Sequence, residues 1–253
     1  MAGRSALITG GARRIGRAIA LTLAAHGWDI AVHYGTSHDD AEALVGEIRR
    51  RDRRAAAIPA DLTREAEVAT LVPRAAETVG PLSLLVNNAS AFDRDDVLNV
   101  TRASWDRHLE TNLRAPFVLM QEFARQLPAG AEGSVVNILD ERVWNLTPYF
   151  TSYTVSKAAL WTLTQTMALA LAPRIRVNGI GPGPTLPSPR QSDEQFRQQV
   201  ELLPLRRGTT PDEIARTVMF ILESPAMTGQ MIALDGGQHL NWAPTSRVPP
   251  ASE

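Results

Sequence analysis

Seven short apolar runs alternate with longer stretches of helical period along this chain, and that alternation leaves few folds open. The runs are ALIT (6–9), DIAVHY (29–34), AAAIPA (55–60), LSLLVNN (82–88), SVVNIL (134–139), IRVNGI (175–180) and MIALD (231–235). Helix-period stretches lie near 14–26, 38–51, 64–79, 103–127, 153–172 and 211–223. Short apolar runs bounded by turns read as buried strands. Strands that alternate with helices imply a mostly parallel sheet with helices on both faces. One such sheet uses up 253 residues, so a single doubly wound α/β domain is expected over 1–242, with 243–253 (APTSRVPPASE) as a flexible tail. Capping signals precede two helices: Asp61-Leu-Thr63 before the third and Thr210-Pro-Asp-Glu213 before the sixth. A proline- and glycine-rich segment, 181–192, follows the sixth strand, where loops of an open parallel sheet overhang the ligand crevice.

Charge and composition exclude several classes. A formal net charge of −1 gives no footprint for nucleic acid or a membrane surface. The basic cluster Arg49–Arg54 reads as the solvated end of a helix. Without cysteine there are no disulfides or thiolate ligands, and the five histidines show no metal-ligand spacing, so no metal is expected. No stretch approaches the roughly 18 apolar residues of a membrane span. A soluble cytoplasmic protein is the expectation.

TGGARRIGRAIA (9–20) links the first strand to the first helix. Gly10 and Gly11 permit a tight turn, Gly16 lets the helix approach the sheet, and free amides at the helix start suit a pyrophosphate. The second strand ends His33, Tyr34 … Ser37, without the acid that would hold an NAD ribose. Arg13 and Arg14 stand beside the position of a 2′-phosphate, and together these features favour NADPH/NADP.

Of 26 Lys and Arg residues only Lys157 is lysine, and it lies four positions after Tyr153 in YTVSK. On a helix the two share a face. A phenol is a poor proton donor or acceptor near neutral pH until a cation stabilises its phenolate. A compact ammonium one turn away can do so, and can also bond the ribose of a nicotinamide cofactor; a planar guanidinium would not reach the same place.

With the glycine loop, Asp61-Leu62, NNA (87–89), Asn112 in ETN, Tyr153/Lys157, Pro182-Gly183 and LDGG, the chain resembles the short-chain dehydrogenase/reductase family, a Rossmann fold, over roughly residues 4 to 240. The resemblance implies that Asp61 and Leu62 meet the adenine, and Asn87 and Ala89 the adenosine ribose. It makes Asn112 the holder of a proton-relay water and Tyr153 the acid/base. Lys157 would orient the ribose and lower the Tyr153 pKa. The candidate cofactor set is completed by Gly10, Arg13, Arg14, Ile15, Gly16, His33, Tyr34, Ser37, Ser90, Pro182 and Gly183. By the same resemblance the long apolar helices pack against other subunits, giving a homotetramer or homodimer.

Three departures from the family pattern narrow the branch. Arg14 replaces the middle loop glycine, Ser90 then Ala91 and Phe92 follow NNA, and Asp140 stands thirteen residues before Tyr153 where the family has a serine. All three are similar to the pteridine reductase branch, which includes dihydromonapterin reductases. The substrate set is then Arg14, Ser90, Phe92, Asp140 and Tyr153. A flat heteroaromatic suits a phenyl platform, and a carboxylate beside Tyr153 suits proton delivery to a ring nitrogen. Asp140 also reads as a cap or a partner of Arg142, Phe92 as ordinary packing, Trp144 as substrate border or packing, and Arg190 as a solvated side chain in preference to a contact for an anionic substrate tail. The alternatives are a carbonyl reductase or alcohol dehydrogenase of the same family, acting on a small carbonyl compound, and a non-catalytic NADP-binding module.

Overall fold

The computed structural model describes residues 4–188 and 190–240; the expected tail at 243–253 and the end of the expected domain lie outside them. Strands β1 (Ser5–Ile8), β2 (Asp29–Tyr34), β3 (Ala55–Pro59), β4 (Leu84–Asn87), β5 (Gly133–Ile138), β6 (Ile175–Pro182) and β7 (Met231–Leu234) form one sheet in the order β3-β2-β1-β4-β5-β6-β7. Every pairing is parallel. The strand order reverses between β1 and β4, which opens a crevice at their carboxyl ends. The chain is thus the expected single α/β domain.

Alternation along each strand feeds two cores. Ala6, Ile8, Ile30, Val32, Leu84 and Val86 pack beneath α1 (Arg14–Ala25), α2 (His38–Arg49) and α8 (Pro211–Leu222). Leu7, Ala31, Leu85, Val135 and Val177 face α3 (Glu65–Val79), α5 (Ala115–Gln126) and α6 (Thr151–Leu171). Because period 2 sends neighbours to opposite faces, both layers are apolar and the runs read as continuous. Among the described residues no helix is long and apolar enough to cross a membrane.

The expected helix at 103–127 is not continuous. It divides into α4 (Arg102–Leu109), a π-helical turn (Glu110–Arg114) and α5. Pro116 lacks an amide hydrogen and its ring crowds the carbonyl four residues back, that of Asn112, so a plain α-helix cannot run through. A helix that periodicity did not indicate, α7 (Asp193–Glu201), opens on a capping box between Ser192 and Gln195. Its only apolar residues are Phe196 and Val200, too few in two turns to set a period in the sequence. Thr210 and Glu213 make the expected capping box of α8. Asp61 instead accepts from the backbone N–H and hydroxyl of Thr63, making a turn ahead of α3 rather than its cap.

Candidate active site

The glycine loop turns at the carboxyl end of β1. Gly10 has φ +58°, and a Cβ on Gly16 would lie 2.3 Å from the Gly10 carbonyl and 2.7 Å from the Asn88 side chain, so only glycine fits there. Asn88 holds the turn from the β4 side: its Nδ2 donates to the carbonyls of Thr9 and Gly10, while Thr9 Oγ1 accepts from the amides of Asn88 and Ala89. Helix α1 has no side-chain cap and no acid in its first turn. Its amides and positive dipole end are therefore left for an external anion, an arrangement that fits a dinucleotide pyrophosphate.

His33 does not face that ligand. It is buried, its Nδ1 accepts from the Gly10 amide at 3.1 Å, and Nε2 lies 3.0 Å from the Ala60 carbonyl. A backbone amide can only donate, so Nδ1 is unprotonated and Nε2 carries the hydrogen, making the ring a neutral brace between loop and β3. Burial pushes its pKa down to about 4. Protonation is thus favoured in the unfolded chain, whose histidine keeps a pKa near 6.5. The stability that neutral His33 allows is complete above about pH 6.5 and is lost as pH falls through about 4. A His33→Gln variant should lack roughly 3 kcal/mol of this acid-induced loss, measured as unfolding free energy at pH 7 and pH 4. Equal pH slopes in both proteins contradict the brace.

The two arginines of the loop diverge. Arg13 is exposed and lies 3.7 Å from Asp40 at the start of α2. Arg14, in the left-handed region at φ +53°, turns to the other side and donates to the carbonyls of Leu186 and Pro187. Arg13 therefore stays on the α2 side, while Arg14 ties the loop after β6 to the glycine turn and lines the cleft. Arg190, expected to be solvated, closes the same loop from its far end by binding the Phe92 carbonyl and Asp93.

A cleft of about 260 Å³ lies between these loops, lined among others by Arg14, Ile15, Ser90, Phe92, Asp140 and Tyr153. Lys157, Pro182 and Gly183 also line it. Strand β5 delivers Asp140 just past its end, and α6 presents Tyr153 and Lys157 one turn apart. The Tyr153 hydroxyl donates to Asp140 Oδ2 at 2.7 Å. Asp140 also accepts from the Arg142 amide at 2.9 Å and pairs with its guanidinium at 3.3 Å. The cap, the ion pair and the contact with Tyr153 thus coexist on one carboxylate.

Lys157 Nζ donates to the Ile138 carbonyl at 2.8 Å and stands 5.8 Å from the Tyr153 ring centre. Burial brings its pKa down to about 8. The expected lowering of the Tyr153 pKa by Lys157 is not what this arrangement produces. Burial, and then the Asp140 charge, hold the phenol well above its usual value, because both disfavour a phenolate. Tyr153 is kept as a donor.

Phe92 stacks on Phe150 with centroids 4.8 Å apart and planes 3° apart, and meets the Tyr153 ring edge-on at 4.7 Å. Phe150 itself sits at φ +60°, directly before α6, a conformation uncommon for a bulky side chain. Asn112 spends its side chain on bracing: Oδ1 accepts from the Ala91 amide and Nδ2 donates to the Ala91 carbonyl and Ser156 Oγ. Ser90 Oγ also reaches Asn112 Oδ1 at 3.2 Å. These bonds place the 90–92 segment against α6. Asn87 is buried and donates to Asn137, away from the cleft, where Asn88 takes its place. Asp61 is exposed and Leu62 buried at the end of β3; Tyr34 bonds His38, and Ser37 precedes α2 without capping it. Trp144 is half-exposed and packs edge-on against Trp161 and His239. No group of three or more His, Cys, Asp or Glu among the described residues is placed to hold a metal ion.

A glycine turn open to an anion, beside a Tyr–Lys pair on one helix face of a doubly wound sheet, defines a dinucleotide-dependent oxidoreductase architecture. A family model described as enoyl-(acyl carrier protein) reductase (adh_short_C2) matches residues 10–239, and the chain belongs to the short-chain dehydrogenase/reductase family. It is similar to FolM alternative dihydrofolate reductase 1 from Brucella suis, crystallised with NADP, at 50% identity and TM-score 0.92, over 96% of this chain and 98% of that one. The Brucella canis protein of the same name, also with NADP, is 48% identical at TM-score 0.91, over 97% and 98% of the two chains. The chain is also 34% identical to the 3-oxoacyl-[acyl-carrier-protein] reductase FabG of Staphylococcus epidermidis, over 94% of this chain and 99% of that protein.

Proposed function

We propose that this protein is an NADPH-dependent reductase of a pterin or dihydropterin ring C=N bond. The observation that carries the reading is the 2.7 Å hydrogen bond from Tyr153 to the Asp140 carboxylate at the mouth of an aromatic-walled cleft. The similarity to the two FolM proteins supports it. Gly10, Gly16, Ile15 and the α1 amides would hold the cofactor, with Arg13 beside a 2′-phosphate and Lys157 at the nicotinamide ribose. Bound NADPH supplies the hydride. The chain's own residues then have a proton to deliver. If Tyr153 gave up its proton alone, a phenolate would sit against the Asp140 carboxylate, and two like charges at hydrogen-bond distance disfavour that state. A proton taken by Asp140 from solvent and passed through Tyr153 to the ring nitrogen avoids it, and it returns the pair to the arrangement described. Phe92, backed by Phe150 and lining the cleft, would be the aromatic contact of the heterocycle.

A 3-oxoacyl or other carbonyl reductase is the second reading, favoured by the similarity to FabG. Turnover of NADPH with dihydropterins, set against 3-oxoacyl thioesters, separates the two. Exposed apolar side chains on α6 and α8, Leu169 and Phe220, fit the expected packing against further copies of the chain.

A further inference from the structure

Two buried polar atoms in this cleft have no hydrogen-bonding partner among the described residues: Glu141 Oε2 and Gln238 Oε1. Both residues line the cleft. They lie on 3₁₀ turns (Glu141–Val143 and Gln238–Leu240) that pack against each other beyond the ends of β5 and β7. Glu141 is only 1% exposed. A carboxyl oxygen so buried is normally bonded, and one with no partner among the described residues is open to a donor that enters the cleft. Its neighbours do not fill the role. Asp140 is engaged by Tyr153 and Arg142, and Asp235 by the amides of Gly237 and His239 and by the His239 ring.

We propose that Glu141, with Gln238, is the specificity-determining edge of the cleft and takes the N–H donors of an amino-substituted heterocycle. The amino-oxo pyrimidine edge of a pterin offers a ring N–H and an amino N–H pointing the same way, which one carboxylate accepts side by side. An open-chain 3-oxoacyl or simple carbonyl substrate offers no such donors and would leave Glu141 buried and unbonded. Burial, with the Asp140 charge beside it, pushes the Glu141 pKa up to about 8, so the carboxyl gives up its proton to solvent as it accepts two N–H donors, whose hydrogen bonds favour the ionised form. The Arg142 cation opposes that rise and Asp235 adds to it, and these are the charged groups set around Glu141.

The inference rests on the pterin reading and refines it. Its test compares a dihydropterin with its 2-desamino analogue on the unaltered enzyme and on Glu141→Gln, with thermal melting reporting the fold. The unaltered enzyme should favour the amino compound in kcat/KM by about tenfold or more. Glu141→Gln, which keeps the shape but loses one acceptor oxygen, should reduce that preference to about twofold or less. A preference that survives Glu141→Gln unchanged overturns the inference and leaves the proposed function standing. Equal use of both compounds by the unaltered enzyme overturns it without recourse to any variant. Failure of the unaltered enzyme to reduce either compound removes both the inference and the function it rests on.

Discussion

Tyr153→Phe should lower kcat for dihydropterin reduction by about 10²–10⁴-fold, the usual contribution of a positioned acid or base. The substitution removes one hydroxyl and leaves the ring that Phe92 meets edge-on at 4.7 Å. Substrate packing is therefore nearly untouched, and the loss belongs in kcat rather than KM. Asp140 keeps Arg142 as a partner, so the fold should lose no more than about 1–3 kcal/mol. Stopped-flow turnover at saturating substrate reads the effect. A variant that retains more than about a tenth of the activity contradicts the role given to Tyr153, because among the described residues no other hydroxyl donates to Asp140.

Asp140→Ser carries the second large effect, and its direction depends on the substrate. Serine can accept the Tyr153 hydrogen bond, but it cannot pick up a proton from solvent and pass it on. Dihydropterin reduction should fall by about 10²-fold or more, since the ring nitrogen must gain a proton as the carbon gains hydride. Reduction of a plain carbonyl substrate, which needs only a polarising hydroxyl beside Tyr153, should hold or rise. Parallel assays of both substrates on the variant give the answer as a ratio. If dihydropterin reduction survives at the level of the unaltered enzyme, Asp140 is a cap and ion-pair partner of Arg142 and nothing more.

The strands were legible because the central ones, β1, β4 and β5, are buried on both faces, which makes a short continuous apolar run; β2 was read to the residue at Asp29–Tyr34. Helix α7 was not, since two turns with only Phe196 and Val200 apolar set no period, although Ser192 with Gln195 carried its start signal. The π-helical turn was also missed, yet Pro116 inside an otherwise periodic run marked the break. Residue type announced Gly16, Tyr153, Lys157 and Asp140, because each answers a chemical need that few side chains meet. Direction was beyond the sequence. It could not tell that Arg14 turns toward Leu186, that His33 points inward at Gly10, or that Asn88 rather than Asn87 faces the cleft. Glu141 gave no signal of its own, since only folding reveals that its Oε2 is buried beside Asp140 with no partner among the described residues.

The central claim is that this cleft reduces a pterin ring, and steady-state NADPH oxidation by the purified protein tests it most directly. With a dihydropterin and a 3-oxoacyl thioester assayed side by side, the dihydropterin should show the higher kcat/KM by about 10²-fold or more, within the range that site-built hydrogen bonding discriminates. Turnover of the thioester with no reduction of any dihydropterin would contradict the account.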